Sequence, residues 1–142
     1  MTAGLRRLEV FRNGHVEFTW NEGSFLTKGD NPKVLTGWAV VESLMNLALL
    51  VGALRIVLRI SDPYLFTLSV LECRGVAMHP SGNSVWGPTE YSEGDDLFLG
   101  PVLALADEDP AAVTRTISDQ LWNAFGFPQS PYFDAQGNFR LQ

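Results

Sequence analysis

Two histidines, one cysteine and a scatter of carboxylates are the side chains that acid–base, nucleophilic or metal chemistry would have to draw on here. His15 and His79 stand in separate turn-rich stretches, without the His/Cys spacing that zinc requires. Asp134, Gln136 and Asn138 resemble the start of a calcium loop. The loop glycine, residue 137, falls earlier than the D-x-[DN]-x-[DN]-G pattern demands. Glu90, Glu93, Asp95 and Asp96 suit a weak hard cation, but a run of this kind reads first as a solvated acidic loop. Cys73 follows a strongly apolar segment, where cysteine acts as a small hydrophobe rather than a thiolate. Glu72 with Glu42 as a carboxylate pair, or His79 with Glu72 or Cys73 as a hydrolase, has no spacing to single it out. Phosphate cradles of the G-x-x-x-x-G-K-[ST] and G-x-G-x-x-G kinds are absent, and lysine occurs only at positions 28 and 33. The chain therefore reads as a non-enzyme with no metal site and no cofactor.

The elements that would position these groups are better marked than the groups themselves. Alternation across 8–20 around Asn13-Gly14 predicts a β-hairpin with a two-residue type I′ turn, because both turn residues tolerate positive φ. That turn pairs Phe11 with Val16 and Glu9 with Phe18, placing Phe11, Val16, Phe18 and Trp20 on the core face. His15 is then a solvated hairpin residue. A turn-rich stretch follows over 22–33, with room for a short strand at 25–27. Apolar residues at 3–4 spacing (Val41, Leu44, Met45, Ala48, Gly52) predict a long helix over 35–54. Gly52 offers a place for close packing.

Pro63 ends the helical region. Residues 64–72 read as a central strand, with Thr67 and Ser69 beside Leu65 and Leu71 on one face and Phe66, Leu68 and Val70 on the other. Residues 75–78 either continue that strand or form a bulge-linked second one, 79–83 read as a loop, 85–86 as the start of a short strand, and 97–106 as a strand kinked at Gly100-Pro101. Asp109 suits an N-cap and Pro110 the first helical position, so a second helix runs over 110–125 and stops at Gly126. A bulged aromatic hairpin closes the chain around residues 134–137.

At 142 residues, one α+β domain accommodates everything: an antiparallel sheet of about five to seven strands carrying two main helices. Hydrophobic residues make up 46% and charged residues only 18%, so extensive burial or an apolar surface awaiting a partner is expected. A net charge of −6 disfavours general nucleic-acid binding, which rests on Lys/Arg neutralisation of phosphate. A lone cysteine forms no internal disulfide and fits a reducing, cytoplasmic compartment. The N-terminal MTAGLRRLEV lacks the apolar core of a signal peptide. Segment 38–60 is apolar, but Glu42, Asn46, Arg55 and Arg59 interrupt it, and it reads as a buried helix rather than a membrane span.

Three segments in order, VFRNGHVEF (10–18), ESLMNLALLVGALRIVLRISDPYLFTLSVLECRGVAM (42–78) and LWNAFGFPQSPYFDAQGNFR (121–140), carry a family likeness. Together they resemble the region that follows the Schlafen-like, AlbA-type DNA-binding domain in bacterial ATP-binding and regulator proteins. The resemblance covers most of the chain and implies an accessory domain with no catalytic residues. The AlbA-type domain itself is not among these residues, so its nucleotide and nucleic-acid binding do not carry over.

These readings converge on a non-catalytic accessory or assembly domain of a cytoplasmic regulatory system, binding a protein partner or a second copy of itself. The expected interface comprises Trp38, Leu47, Leu50 and Leu54 from the long helix, with Trp122, Phe127 and Tyr132 from the C-terminal segment. The alternative is a small-ligand or nucleic-acid sensor with its cleft near His79, Trp86 and Trp122.

Overall fold

A computed structural model describes residues 6–21, 33–78 and 90–140. Strands β1 (Arg6–Val10) and β2 (Val16–Trp20) lead through β3 (Val34–Leu35) to helix α1 (Gly37–Leu58). Strands β4 (Tyr64–Val70), β5 (Ala77–Met78), β6 (Glu90–Tyr91) and β7 (Leu97–Ala104) follow, and helix α2 (Pro110–Ala124) completes the set. The chain is α+β, with two helices and small sheets. Among the described residues, its strands do not join into one antiparallel sheet. They form a β1–β2 hairpin, a β3–β5–β6 sheet in which β3 and β5 run parallel, and a β4–β7 antiparallel ribbon.

Helix α2 joins α1 to the β4–β7 ribbon, since it packs against both. Two adjacent stripes of α2 are buried, Val113/Ile117/Leu121 and Thr114/Ser118/Trp122, so the helix has apolar neighbours on two sides. Its ends are well satisfied. The Asp109 carboxylate accepts from Ala111 N at 2.9 Å, and Pro110 occupies the first turn, where its missing N–H costs nothing. At the far end Gly126 takes φ +84°, while Gly126 N and Phe127 N donate to Asn123 O and Trp122 O at 2.9 and 3.0 Å. Gln120 Oε1 accepts from Gly100 N at 2.7 Å, which ties the kink of β7 to this helix.

Several expectations need correction. The hairpin loop has three residues rather than two. Phe11 N donates to His15 O (2.8 Å) and Gly14 N to Phe11 O (3.0 Å), with Gly14 at φ +84°. Asn-Gly serves both loop forms, and the three-residue one pairs Val10 with Val16 and Leu8 with Phe18. Phe11 is accordingly exposed beside His15 instead of facing the core. The long helix starts two residues later than expected and ends at Leu58, because 34–35 are taken by β3. Gly52 is not a packing point: a Cβ there would meet open space. The close approach is at Gly37, where an added Cβ would lie 2.6 Å from Trp122 Cη2.

Strand β4 alternates as expected, with Phe66 and Leu68 buried and Leu65, Thr67 and Ser69 exposed. It lies in a two-stranded ribbon rather than at the centre of a sheet. The expected strands at 25–27 and 85–86 and the loop at 79–83 lie outside the described residues.

Candidate functional site

Helix α1 is apolar all round, and a soluble helix of that kind needs neighbours on every side. It has them on one. Val40, Val41, Leu44 and Ala48 are buried with the core, whereas Leu49, Ile56, Val57 and Leu58 are 52%, 81%, 77% and 58% exposed. By length and composition α1 is long and apolar enough to cross a membrane, yet only 33% of its most apolar window is buried within the protein.

The exposed C-terminal half is held in place by Arg55, which is itself 8% exposed. Its guanidinium donates to the carbonyls of Asp62 and Leu105 and lies over the Tyr64 ring, 4.9 Å from the centroid. These bonds tie the end of α1 to the start of β4 and the end of β7. Burial raises the Tyr64 pKa above its ordinary value, the Arg55 charge opposes that rise, and Glu108 adds to it.

The outer face of the β4–β7 ribbon is a second uncovered apolar surface. Leu65 pairs with Leu103 and Ser69 with Phe98 on the side away from the buried Phe66 and Leu68. Leu65, Leu103 and Phe98 are 65%, 57% and 73% exposed. Scattered exposed leucines are ordinary in proteins; here a helix end and a sheet face are both uncovered among the described residues.

The residues expected at an interface divide three ways. Trp38 and Leu50 are exposed; Leu47, Leu54 and Phe127 are half-buried. Trp122 and Tyr132 are corrections: both are buried in the core, their rings edge-to-face at 5.7 Å. The helix that carries Trp122 has neighbours on two sides, so its aromatic stripe is spent on internal packing. The sequence reading missed Ile56, Val57, Leu65, Phe98 and Leu103. The helix signal for Ile56 and Val57 was present in the unbroken apolar run, but the expected boundary at 54 excluded them. His79 and Trp86 lie outside the described residues.

No family model, curated protein or solved structure matches this chain.

Several of the groups considered for chemistry have structural partners. Cys73 is buried, its Sγ 3.4 Å from Ser92 Oγ and 3.6 Å from Gly94 O. Asp95 pairs with Arg74, and Asp96 accepts from Glu72 N at 2.9 Å, so the acidic stretch anchors the turn after β4. Arg74 holds the exposed Asp95 carboxyl below its ordinary pKa, first through the hydrogen bond and then through its charge. Among the described residues, no three His, Cys, Asp or Glu side chains gather in a metal-binding group.

Asp134 likewise organises its own loop. It accepts from Asn138 Nδ2 (3.1 Å), Asn138 N (2.8 Å), Gln136 N (3.0 Å) and Arg140 Nη2 (2.8 Å). The Asn138 bonds, and then the Arg140 charge, hold its carboxyl below the ordinary carboxylate range. A depressed folded pKa stabilises the fold above the unfolded value, and that contribution is lost as pH falls through the folded one. Between neutral pH and pH 3 the melting temperature of the native chain is expected to fall more steeply than that of Asp134→Asn. Parallel curves in a pH series of thermal melts would contradict this role.

A cavity of about 650 Å³ lies between β2, α1 and the segment 67–73, lined by Phe18, Trp20, Leu44, Leu68, Lys33 and Glu72 among others. Apolar walls with a few charged groups are what a small organic ligand would require.

Proposed function

We propose that this chain is a non-catalytic assembly domain of a cytoplasmic regulatory system, which docks protein through the uncovered end of α1 and the outer face of β4–β7. The observation that carries the reading is the exposure of Ile56, Val57, Leu65 and Phe98 on rigid elements whose opposite faces are core. The resemblance to the region after the AlbA-type domain of bacterial regulators supports the same class. The lone, buried Cys73 accords with the cytoplasmic assignment. The interface moves from the aromatic C-terminal segment to these elements, because Trp122 and Tyr132 are occupied internally.

A photo-crosslinking amino acid in place of Phe98 or of Ile56, in cells expressing the chain, tests the reading. Protein adducts are expected at one or both positions and not at the exposed Asn123 of α2. Absence of adducts at both positions would overturn it.

The cavity favours a second reading, a small-ligand sensor. A ligand that binds only the folded chain at one hundred times its Kd stabilises it by about 2.7 kcal/mol. A thermal-shift screen that finds such a compound, with the shift abolished by Phe18→Trp or Leu68→Trp, would favour this reading. A flat screen would remove it.

A further inference from the structure

The cavity beside β2 is lined by every residue of 15–21 and every residue of 67–73. Successive residues of a strand point to opposite faces, so a cavity that touches all of them borders the strand's edge rather than one face. Two strand edges therefore look into the same space.

Both edges carry unbonded backbone groups. In the hairpin Phe11 N donates to His15 O, so by antiparallel alternation Glu9–Glu17 and Arg7–Thr19 are the other bonded pairs. The N–H and C=O of Val16 and Phe18 then point away from β1. In the ribbon no backbone bond joins Leu71 to Asp96, the next pair beyond Val70–Leu97. Val70–Leu97 and Leu68–Leu99 are accordingly the bonded pairs, and the N–H and C=O of Ser69 and Leu71 point away from β7. Among the described residues, the backbones of Val16, Phe18, Ser69 and Leu71 have no hydrogen bond on that side, and β2 and β4 do not pair with each other. Open edges are normally blunted by charge or proline, yet YLFTLSVL (64–71) has neither.

We infer that this slot takes an extended peptide segment of another protein as an added strand, bonded to β2 on one side and to β4 on the other. An extended backbone offers N–H and C=O on both of its edges, which is what two facing open edges require. The five residues of Val16–Trp20 set the length of the site, about 17 Å at roughly 3.4 Å per residue. Leu35, Val40, Leu44 and Phe125 also line the cavity, so every second residue of the peptide would meet apolar side chains. The occupant is thus an extended segment with apolar residues at alternate positions. Bound there, it would join hairpin and ribbon into one sheet of order β1–β2–peptide–β4–β7. The site is separate from the docking surface proposed above, and it assigns the cavity to a peptide instead of a small compound.

Random linear peptides displayed on phage are the probe, and the native chain is expected to select sequences with apolar residues at alternate positions. N-methylation of a selected peptide then removes one backbone donor at a time. A strand held on both edges uses successive amides on opposite sides, so each central N-methyl group should weaken binding about fivefold or more. A strand held on one edge would respond only at alternate positions. Val16→Pro and Ser69→Pro each remove an N–H from an open edge and leave both ladders intact. Each should weaken the same peptide by a similar factor with the circular dichroism spectrum unchanged. Ile56→Glu, on the docking surface, should leave the affinity as it was. An empty selection, or selected peptides that all tolerate N-methyl groups at alternate central positions, would overturn the proposal, whatever photo-crosslinking at Ile56 and Phe98 shows. Should a proline variant fail to fold, the methylation series still decides.

Discussion

Gly37→Ala is expected to destabilise the fold by about 2 kcal/mol, although alanine favours helix over glycine by about 1 kcal/mol. The new methyl group would sit 2.6 and 2.8 Å from two carbons of the Trp122 ring, and that ring has nowhere to go. Trp122 is fully buried and packs edge-to-face on Tyr132. Removing the ring is the larger insult: Trp122→Ala is expected to cost about 3–5 kcal/mol, as large-to-small changes in cores do. The two sites should also couple. In the Trp122→Ala background, Gly37→Ala loses its clash and should become neutral or mildly stabilising. Urea denaturation of the four variants measures the cycle. Additive costs would mean that the glycine and the indole are not in contact.

The second large effect is expected at Arg55. Its guanidinium is buried without a carboxylate partner among the described residues, and is held by two carbonyls and the Tyr64 ring. Truncation in Arg55→Ala leaves those carbonyls short of a donor and opens a void where the stem packed, at a combined cost of about 3 kcal/mol. Arg55→Met keeps most of the stem and should cost less. Tyr64 gives an independent readout. Its folded pKa is raised, so its contribution to stability is full below the unfolded tyrosine value and is lost as pH rises through the folded one. Arg55→Met removes the charge that opposes this rise, so the ultraviolet titration midpoint of Tyr64 should move further up. An unmoved midpoint would mean that the guanidinium does not sense the ring.

Local signals in the sequence fared well where one residue type answers one backbone need. Asp109, Pro110 and Gly126 marked α2 to within a residue, and the period-2 alternation of β4 gave its buried face. Pairing that depends on distant segments did not follow. Nothing in the composition of 34–35 or 77–78 foretells a parallel contact between two-residue strands, and β4 reads as central because its apolar face is packed on α2 rather than covered by further strands. The aromatic residues misled for a related reason. Trp122 and Tyr132 have the side chains favoured at interfaces, and only the position of α2 between two neighbours shows that they are already used. The surface that stays open is made mostly of ordinary aliphatic residues, which a sequence presents in the same way whether they end up covered or bare.

Helix α2 lies against both α1 and the ribbon, and it follows both in the chain. A ribosome adds about 5–20 residues per second, so α1 emerges several seconds before the helix that shelters its inner stripe. During that interval Val41, Leu44 and Ala48 are as bare as Ile56 and Val57, and the nascent chain shows a helix apolar on every side. Chaperones and membranes would meet it in that form first. The yield of the native domain in a cell should therefore depend on how fast residues 110–124 arrive, and slow codons placed between α1 and α2 should lower it without changing a single amino acid.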